Sequence, residues 1–221
     1  RVILVAADDV AAAVARAMIG DAAEVIVEPF GDIWLRDTGP VIVRAGDRLH
    51  ALQHRFNGWG GKYDLPHDDS IGRRLSAARQ RGDGYHLADV ACDWIFEGGA
   101  VDVDGAGLLV TTEQCLLNAN RNPALSRADI EARLHRDLGF DRVLWLGEGL
   151  INDHTDGHVD NLARFVAPNA LALPRATEAN DPNAAIYADA KARAEAMGIT
   201  VVEVPSPGLV TRDGRIEPAR Y

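Results

Sequence analysis

This chain has little cysteine and no excess of positive charge. Of its 221 residues only Cys92 and Cys115 are cysteine, and nothing like a metal-ligand spacing separates them. So few thiols exclude a disulfide-stapled secreted scaffold and favour a reduced, cytoplasmic setting. The net charge is −10, from 33 acidic against 23 basic residues, and the pI is about 5.1. Such a surface repels nucleic acid and anionic membranes and suits a small cationic molecule. No apolar run approaches the roughly 20 residues that cross a bilayer, and no basic-then-apolar leader is present. There is no opening Met: the chain starts on the strand-like Val2-Ile3-Leu4-Val5 and stops at Tyr221 with no helix or turn to close it. That pattern predicts a piece of a longer protein. The 47% hydrophobic content is ample for one domain or a compact pair.

Polarity is concentrated in one stretch, Asp153-His154-Thr155-Asp156-Gly157-His158-Val159-Asp160-Asn161, followed by the apolar run Leu162 to Val166. Two histidines and three aspartates precede what reads as a buried strand. Burying such groups costs several kcal/mol unless each finds a partner. Gly157 permits a tight turn. If the chain is extended beyond it, the two-residue period puts His158 and Asp160 on one face and Val159 on the other. An imidazole beside a carboxylate is a candidate proton-transfer and cation-binding pair. A zinc or iron site built from His154, Asp156, His158 and Asp160 is the rival. The two histidines stand four apart, however, which is ligand spacing only on a helix, and Gly157 with the β-like run argues against one. Acid–base work is favoured over a metal.

The pattern elsewhere repeats. Val2 to Ala6 and Glu24 to Glu28 read as strands around a helix capped by Asp8 or Asp9, with apolar positions Val10, Val14 and Met18 and a stop at Gly20. A hairpin follows (Val41 to Arg44, Leu49 to Arg55), then a helix from about Asp69 to Arg79 and a strand around Tyr85 to Ala88. Hairpin, helix and strand recur as Trp94 to Val103 with Leu108 to Thr112, a helix opened by Ser126-Arg127-Ala128-Asp129 and ended at Gly139, and Val143 to Leu146. They recur again as His158 to Val166 with Ala170 to Leu173, a helix over Asp181 to Met197, and Thr200 to Val204. The period is about 60 residues, which divides the chain into a partial unit at 1–30 and units at about 31–90, 91–150 and 151–210.

Polar clusters keep this register. Asp37, Glu97 and His158 each stand just before or at the first strand of a hairpin, one per unit, so units set around an axis would bring them together. Asp32-Ile33-Trp34-Leu35-Arg36-Asp37 reads plainly as a strand edge with an Arg–Asp surface pair of little worth. It reads functionally as a carboxylate and an aromatic wall for a cation, and the register tips it that way. Glu97-Gly98-Gly99 is either a solvated bulge or a carboxylate at a point of close approach. Cys115 reads as a small packed hydrophobe, since no local base or helix N-terminus activates it. The Gly-rich Phe56 to Tyr63 segment, a lid or a long loop, is not arranged as a phosphate loop. Asn120-Arg121-Asn122-Pro123 reads as a turn entering a helix.

Five segments, GDIWLRDTGP (31–40), FNGWGG (56–61), FEGGAVDVDG (96–105), TTEQCLLNANRNP (111–123) and TDGHVDNLARF (155–165), together resemble the agmatine deiminase family, which includes bacterial-type peptidylarginine deiminases. The resemblance implies an α/β, pentein-type propeller of five ββαβ repeats, about three of them complete here. It implies hydrolysis of a guanidinium to a ureido group with release of ammonia, agmatine giving N-carbamoylputrescine, with no cofactor and a dimer or larger homo-oligomer. Asp37 and Asp160 would grip the guanidinium in bidentate fashion. His158 would be the general acid–base, Glu97 would hydrogen-bond and orient it, and Trp34 would line the substrate slot. The family's nucleophile is a cysteine in a Gly-rich segment near the C-terminus. The 221 residues hold no such segment and are expected to be inactive alone. Alternatives are an arginine or peptidylarginine substrate, a non-catalytic guanidinium-binding remnant, and a metal hydrolase using His154, His158 and the aspartates.

Overall fold

The computed structural model describes residues 2–82 and 87–217, side chains of residues 79–82 excepted. The chain forms two compact units by its internal contacts: Arg1–Gly58 with Lys62–Asp93, and Trp59–Gly61 with Trp94–Tyr221.

In the first unit, β1 (Ile3–Ala6) pairs in parallel with β2 (Glu24–Val27). Between them runs α1 (Asp9–Ile19), whose N-cap Asp8 accepts from the Ala11 amide at 2.7 Å, as the sequence predicts. Its apolar stripe does not face a core: Val10, Val14 and Met18 are all exposed, and Ala12 is the buried position. Next come β3 (Val41–Ala45) and β4 (Arg48–Arg55), an antiparallel hairpin, and α2 (Ile71–Gly82). Strand β5 (Leu87–Ile95) completes the sheet order β3-β4-β5. It is longer than the strand expected around Tyr85 to Ala88, whose first two residues lie outside the described residues. Ala51, Leu52 and Ile71 are buried here, and Gln53 Nε2 donates to Ser76 Oγ and Asp89 Oδ1, both at 2.9 Å.

The second unit has two three-stranded sheets of one plan. Strands β6 (Val101–Val103) and β7 (Leu108–Thr112) are antiparallel, and β8 (Arg142–Leu146) runs parallel to β7. Helix α3 (Arg127–Arg133), extended by the wider turn Leu134–Leu138, connects them. Its capping box is complete: Asp129 N donates to Ser126 Oγ, and Ser126 N to Asp129 Oδ2. Strands β9 (Arg164–Ala167) and β10 (Ala170–Arg175) are antiparallel, and β11 (Thr200–Pro205) is parallel to β10 across α4 (Ala184–Ala196). A short hairpin, β12 (Thr211–Arg212) and β13 (Arg215–Ile216), follows. Leu108, Val110, Leu144, Leu146, Leu171 and Leu173 pack with α4 residues Tyr187 and Ala190 into one apolar core. At roughly 1.5–3 kcal/mol for each large side chain, this core fixes both sheets, and with them the loops at their ends.

Two expected strands are shorter than their apolar patterns. Trp94 and Ile95 close β5, and the chain then makes a 3₁₀ turn at Gly98–Ala100 before β6 begins at Val101. Likewise His158 to Asn161 is not strand: Val159–Asn161 is a 3₁₀ turn, and β9 starts only at Arg164. The expected run Leu162 to Val166 is therefore half-buried, with Leu162 and Ala163 inside but Arg164 and Val166 exposed.

Candidate active site

The 153–161 loop is shaped by its own carboxylate. Asp153, buried, accepts from the Thr155 amide at 3.2 Å, Thr155 Oγ1 at 2.7 Å and Asn161 Nδ2 at 3.0 Å. Asp156 and Gly157 follow with φ of 62° and 80°. Two left-handed residues in succession cannot continue a strand, which is why His158 turns inward instead of alternating along a sheet. The loop is fastened at both sides. Asn183 Oδ1, ahead of α4, accepts from Ile151 N at 2.9 Å, and Thr112 Oγ1 donates to Gly157 O at 2.6 Å.

Glu97 and His158 occupy equivalent places, each the residue immediately before a 3₁₀ turn, and these two turns pack against one another. The two side chains meet. Glu97 is 0% and His158 2% exposed, and His158 Nε2 lies 4.0 Å from Glu97 Oε2. That is longer than a hydrogen bond, a separation that a site without substrate often shows.

Behind Glu97 is a residue whose role its neighbours in sequence did not reveal. Arg121 is fully buried, and its fork is shared four ways. Nε donates to Glu97 Oε1 at 2.8 Å and Nη2 to Thr155 O at 2.9 Å. Nη1 donates to Asn120 Oδ1 at 2.8 Å and to Asp156 Oδ2 at 2.6 Å. Burial works against its charge, but Glu97, Cys115 and Asp156 outweigh that and raise its pKa above the ordinary arginine value. One guanidinium thus locks the Glu97 carboxylate to the loop that carries His158. The sequence held one signal for this, since Glu97 and Asp156 are nearly one repeat apart and bracket Arg121.

Cys115 is packed in the interior, fully buried, as its sequence reading expects. It lies on the single turn Glu113–Leu116, capped by Thr112, whose Oγ1 accepts from Cys115 N at 3.1 Å. The fold brings to it what the local sequence does not: ligand atoms of Glu97, Cys115 and His158 all lie within 4.8 Å of one another.

The remaining expected residues are placed as follows. Asp160 is half-buried in the Val159–Asn161 turn and lines a cavity of about 330 Å³ with Leu162, Arg164, Leu173 and Val204. Trp34 (45% exposed) and the half-buried Asp37 belong to the first unit, where Leu35–Thr38 is a single helical turn, not a strand edge. That segment is held by Asp68, which accepts from Gly31 N at 2.7 Å and Asp32 N at 3.2 Å. His154, part of the rival metal set, stacks edge-on against buried Trp59 with centroids 5.8 Å apart.

The sequence profile of the Porphyromonas-type peptidyl-arginine deiminases matches residues 1–221. The chain belongs to this family. It is 41% identical over 211 residues to the agmatine deiminase of Stutzerimonas stutzeri, covering 88% of this chain and 55% of that protein. To a putative agmatine deiminase of Listeria monocytogenes it is 36% identical over 214 residues, 89% of this chain and 57% of the relative. Among solved structures, a substitution variant of C. jejuni agmatine deiminase with substrate bound superposes with a TM-score of 0.86 at 29% identity, over 100% of this chain and 65% of that one. The Enterococcus faecalis agmatine deiminase gives 0.84 at 28% identity, over 98% of this chain and 61% of that one. This family member thus has the α/β pentein fold of ββαβ repeats, in part, and spans about half the length of the curated relatives it matches. No helix among its described residues is long and apolar enough to cross a membrane.

Proposed function

We propose that the chain supplies the acid–base and guanidinium-binding part of a deiminase acting on agmatine. The observation that carries this reading is the buried pair Glu97–His158, set 4.0 Å apart by successive sheets and backed by the Arg121 fork. In the overall reaction, water replaces one terminal nitrogen of the guanidinium, leaving a ureido group and ammonia. A thiolate adds to the central carbon, and the departing ammonia takes a proton from His158. Neutral His158 then accepts a proton from the water that attacks this carbon, and the carbon–sulfur bond breaks. Glu97 stabilises the imidazolium each time it forms. The family resemblance assigns Asp37 and Asp160 to binding the planar cation and Trp34 to flanking it.

The family's thiolate comes from a Gly-rich segment, and neither Cys92 nor Cys115 stands in one. By this reading the 221 residues bind agmatine without turning it over. A cytoplasmic setting and self-association into a dimer or larger assembly are part of the proposal, supported by the family resemblance.

The test has two arms. Calorimetry on the 221-residue chain should show agmatine binding that weakens at least roughly tenfold in Asp160→Asn, about the 1.5–3 kcal/mol of a charged hydrogen bond. The protein as its gene encodes it should form ureido product from agmatine and lose that activity in His158→Ala. Free arginine and a blocked arginyl peptide serve as competing substrates. Ureido product from the 221 residues above a His158→Ala control would mean that the nucleophile is misplaced.

A further inference from the structure

We propose that Glu97, Cys115 and His158 form a binding site for one thiophilic divalent cation, Zn²⁺ in the first instance, and that its binding silences the acid–base pair. Binding itself does not depend on the deiminase reading; the silencing rests on it.

The donors are a carboxylate oxygen, a thiol sulfur and an imidazole nitrogen, a set that zinc accepts in tetrahedral coordination. Their ligand atoms lie within 4.8 Å of one another, and all three residues are buried. Donors around a tetrahedral zinc stand about 3.3–3.8 Å apart, as bonds of about 2.0–2.3 Å require. The 4.0 Å from His158 Nε2 to Glu97 Oε2 is close to that range, and since no pair of donors is more than 4.8 Å apart, binding requires the side chains to draw together by up to about 1–1.5 Å.

The supporting contacts are of the kind that orient metal ligands. Arg121 Nε holds the other oxygen of Glu97 at 2.8 Å, leaving Oε2 turned toward His158. Thr112 Oγ1 ties the Cys115 amide to the Gly157 carbonyl, which joins the turn of one ligand to the residue preceding another. Charge closes as well. Glu97, Asp156 and Arg121 sum to minus one. When the cation binds, the Cys115 thiol gives its proton to solvent and the Sγ–metal bond forms. Two positive charges and one thiolate then bring the buried group to zero, so no net charge is stranded in the interior. The cation takes the imidazole lone pair that would otherwise move protons, and the Glu97 oxygen that would stabilise imidazolium. It acts as an inhibitor, not a cofactor.

The first probe is Co²⁺ added to the 221-residue chain carrying Cys92→Ala, so that Cys115 is its one cysteine. The expected result is a cobalt–thiolate charge-transfer band in the near ultraviolet, saturating at one equivalent and displaced by Zn²⁺. The band should vanish in Cys115→Ala with Cys92 restored, and Zn²⁺ affinity should fall by more than the roughly 10–100-fold typical of a lost outer partner. Cys115→Ser, nearly the same size, controls for packing, and circular dichroism confirms that each variant is folded. No band in the Cys92→Ala chain, or an equal band in Cys115→Ala, overturns the site.

The second probe is Zn²⁺ added to the gene-encoded protein during agmatine turnover. Inhibition should be reversed by a chelator and relieved in Cys115→Ala. Inhibition that persists undiminished in that variant overturns the silencing. If agmatine is not turned over at all, the deiminase reading and the silencing fall together, while the cobalt band still decides the site.

Discussion

A buried arginine is stable only where its charge is met, and Arg121 is met on both sides. Glu97 Oε1 and Asp156 Oδ2 each accept from it. Replacing it by Met leaves the Glu97 carboxylate buried without its cation, a loss of about 3–5 kcal/mol. Lys would keep the charge but not the planar fork that reaches Glu97, Asn120, Asp156 and Thr155 at once. Urea denaturation should therefore rank wild type above Arg121→Lys and that above Arg121→Met. The double variant Glu97→Gln, Arg121→Met should recover part of the loss, because the stranded carboxylate is gone. A Lys variant as stable as wild type would show that charge alone matters and that the fork has no positioning role.

At the scale of elements, the loop that presents His158 depends on Gly157. A Cβ there would stand 2.4 Å from Gln114 Oε1 and 2.9 Å from Gly149 N, on a residue whose φ is 80°. Gly61 has a similar φ of 76°, but a Cβ there meets nothing within 4 Å. Gly61→Ala therefore reports backbone strain alone, about 1–2 kcal/mol. Gly157→Ala should cost more, by a further roughly 1–3 kcal/mol of overpacking, and should shift the His158 imidazole resonances in an NMR spectrum, which Gly61→Ala should not. Equal losses in the two variants would mean that the loop yields to the added methyl.

This loop also marks where local pattern stops being informative. Helix ends were legible because their signals are local: Asp8 caps α1, and Ser126 with Asp129 closes the box that opens α3. The meeting of Glu97 with His158 was legible through the repeat. Strand limits at Trp94 to Val103 and His158 to Val166 were not, because 3₁₀ turns at Gly98–Ala100 and Val159–Asn161 interrupt the two runs. Arg121 does stand in a turn before α3 and Cys115 is packed in the core, as read, but their long-range contacts were not legible, for a different reason. Their partners Glu97, Asp156 and His158 are distant in sequence, and a turn-like Asn-Arg-Asn gives no hint of carboxylates brought in by packing. The stripe Val10, Val14 and Met18 has helical spacing but lies exposed: spacing identifies a helix, not what covers it.

At the scale of the whole molecule, an acidic chain uses several of its carboxylates to join its second-unit sheets. Asp102 accepts from Phe165 N at 2.7 Å and Arg164 Nη1 at 2.9 Å, linking β6 to β9. Asp104 accepts from Asn169 N at 3.1 Å, at the β9–β10 turn. Glu113 is paired with Arg127 at the start of α3 and with Arg193 of α4. Hydrogen bonding from Arg127, above all, lowers the Glu113 pKa below its ordinary 4.5 against the effect of burial. For Asp104, burial acts to raise the pKa, but amides of Leu108, Ala106 and Asn169 outweigh it and bring it below 3.8. A carboxylate whose folded pKa is depressed contributes stability that is present above its unfolded pKa and lost as pH falls through the folded one. The urea midpoint of the second unit should therefore hold between about pH 7 and 5 and decline below about pH 4.5. Glu113 and its arginines are 32–44% exposed, so solvent screening limits this contribution to about 1 kcal/mol or less. Glu113→Gln should lower the midpoint at pH 7 by that amount and flatten the acid decline. A midpoint in that variant that falls just as steeply below pH 4.5 would place the acid sensitivity in Asp104 and the other carboxylates.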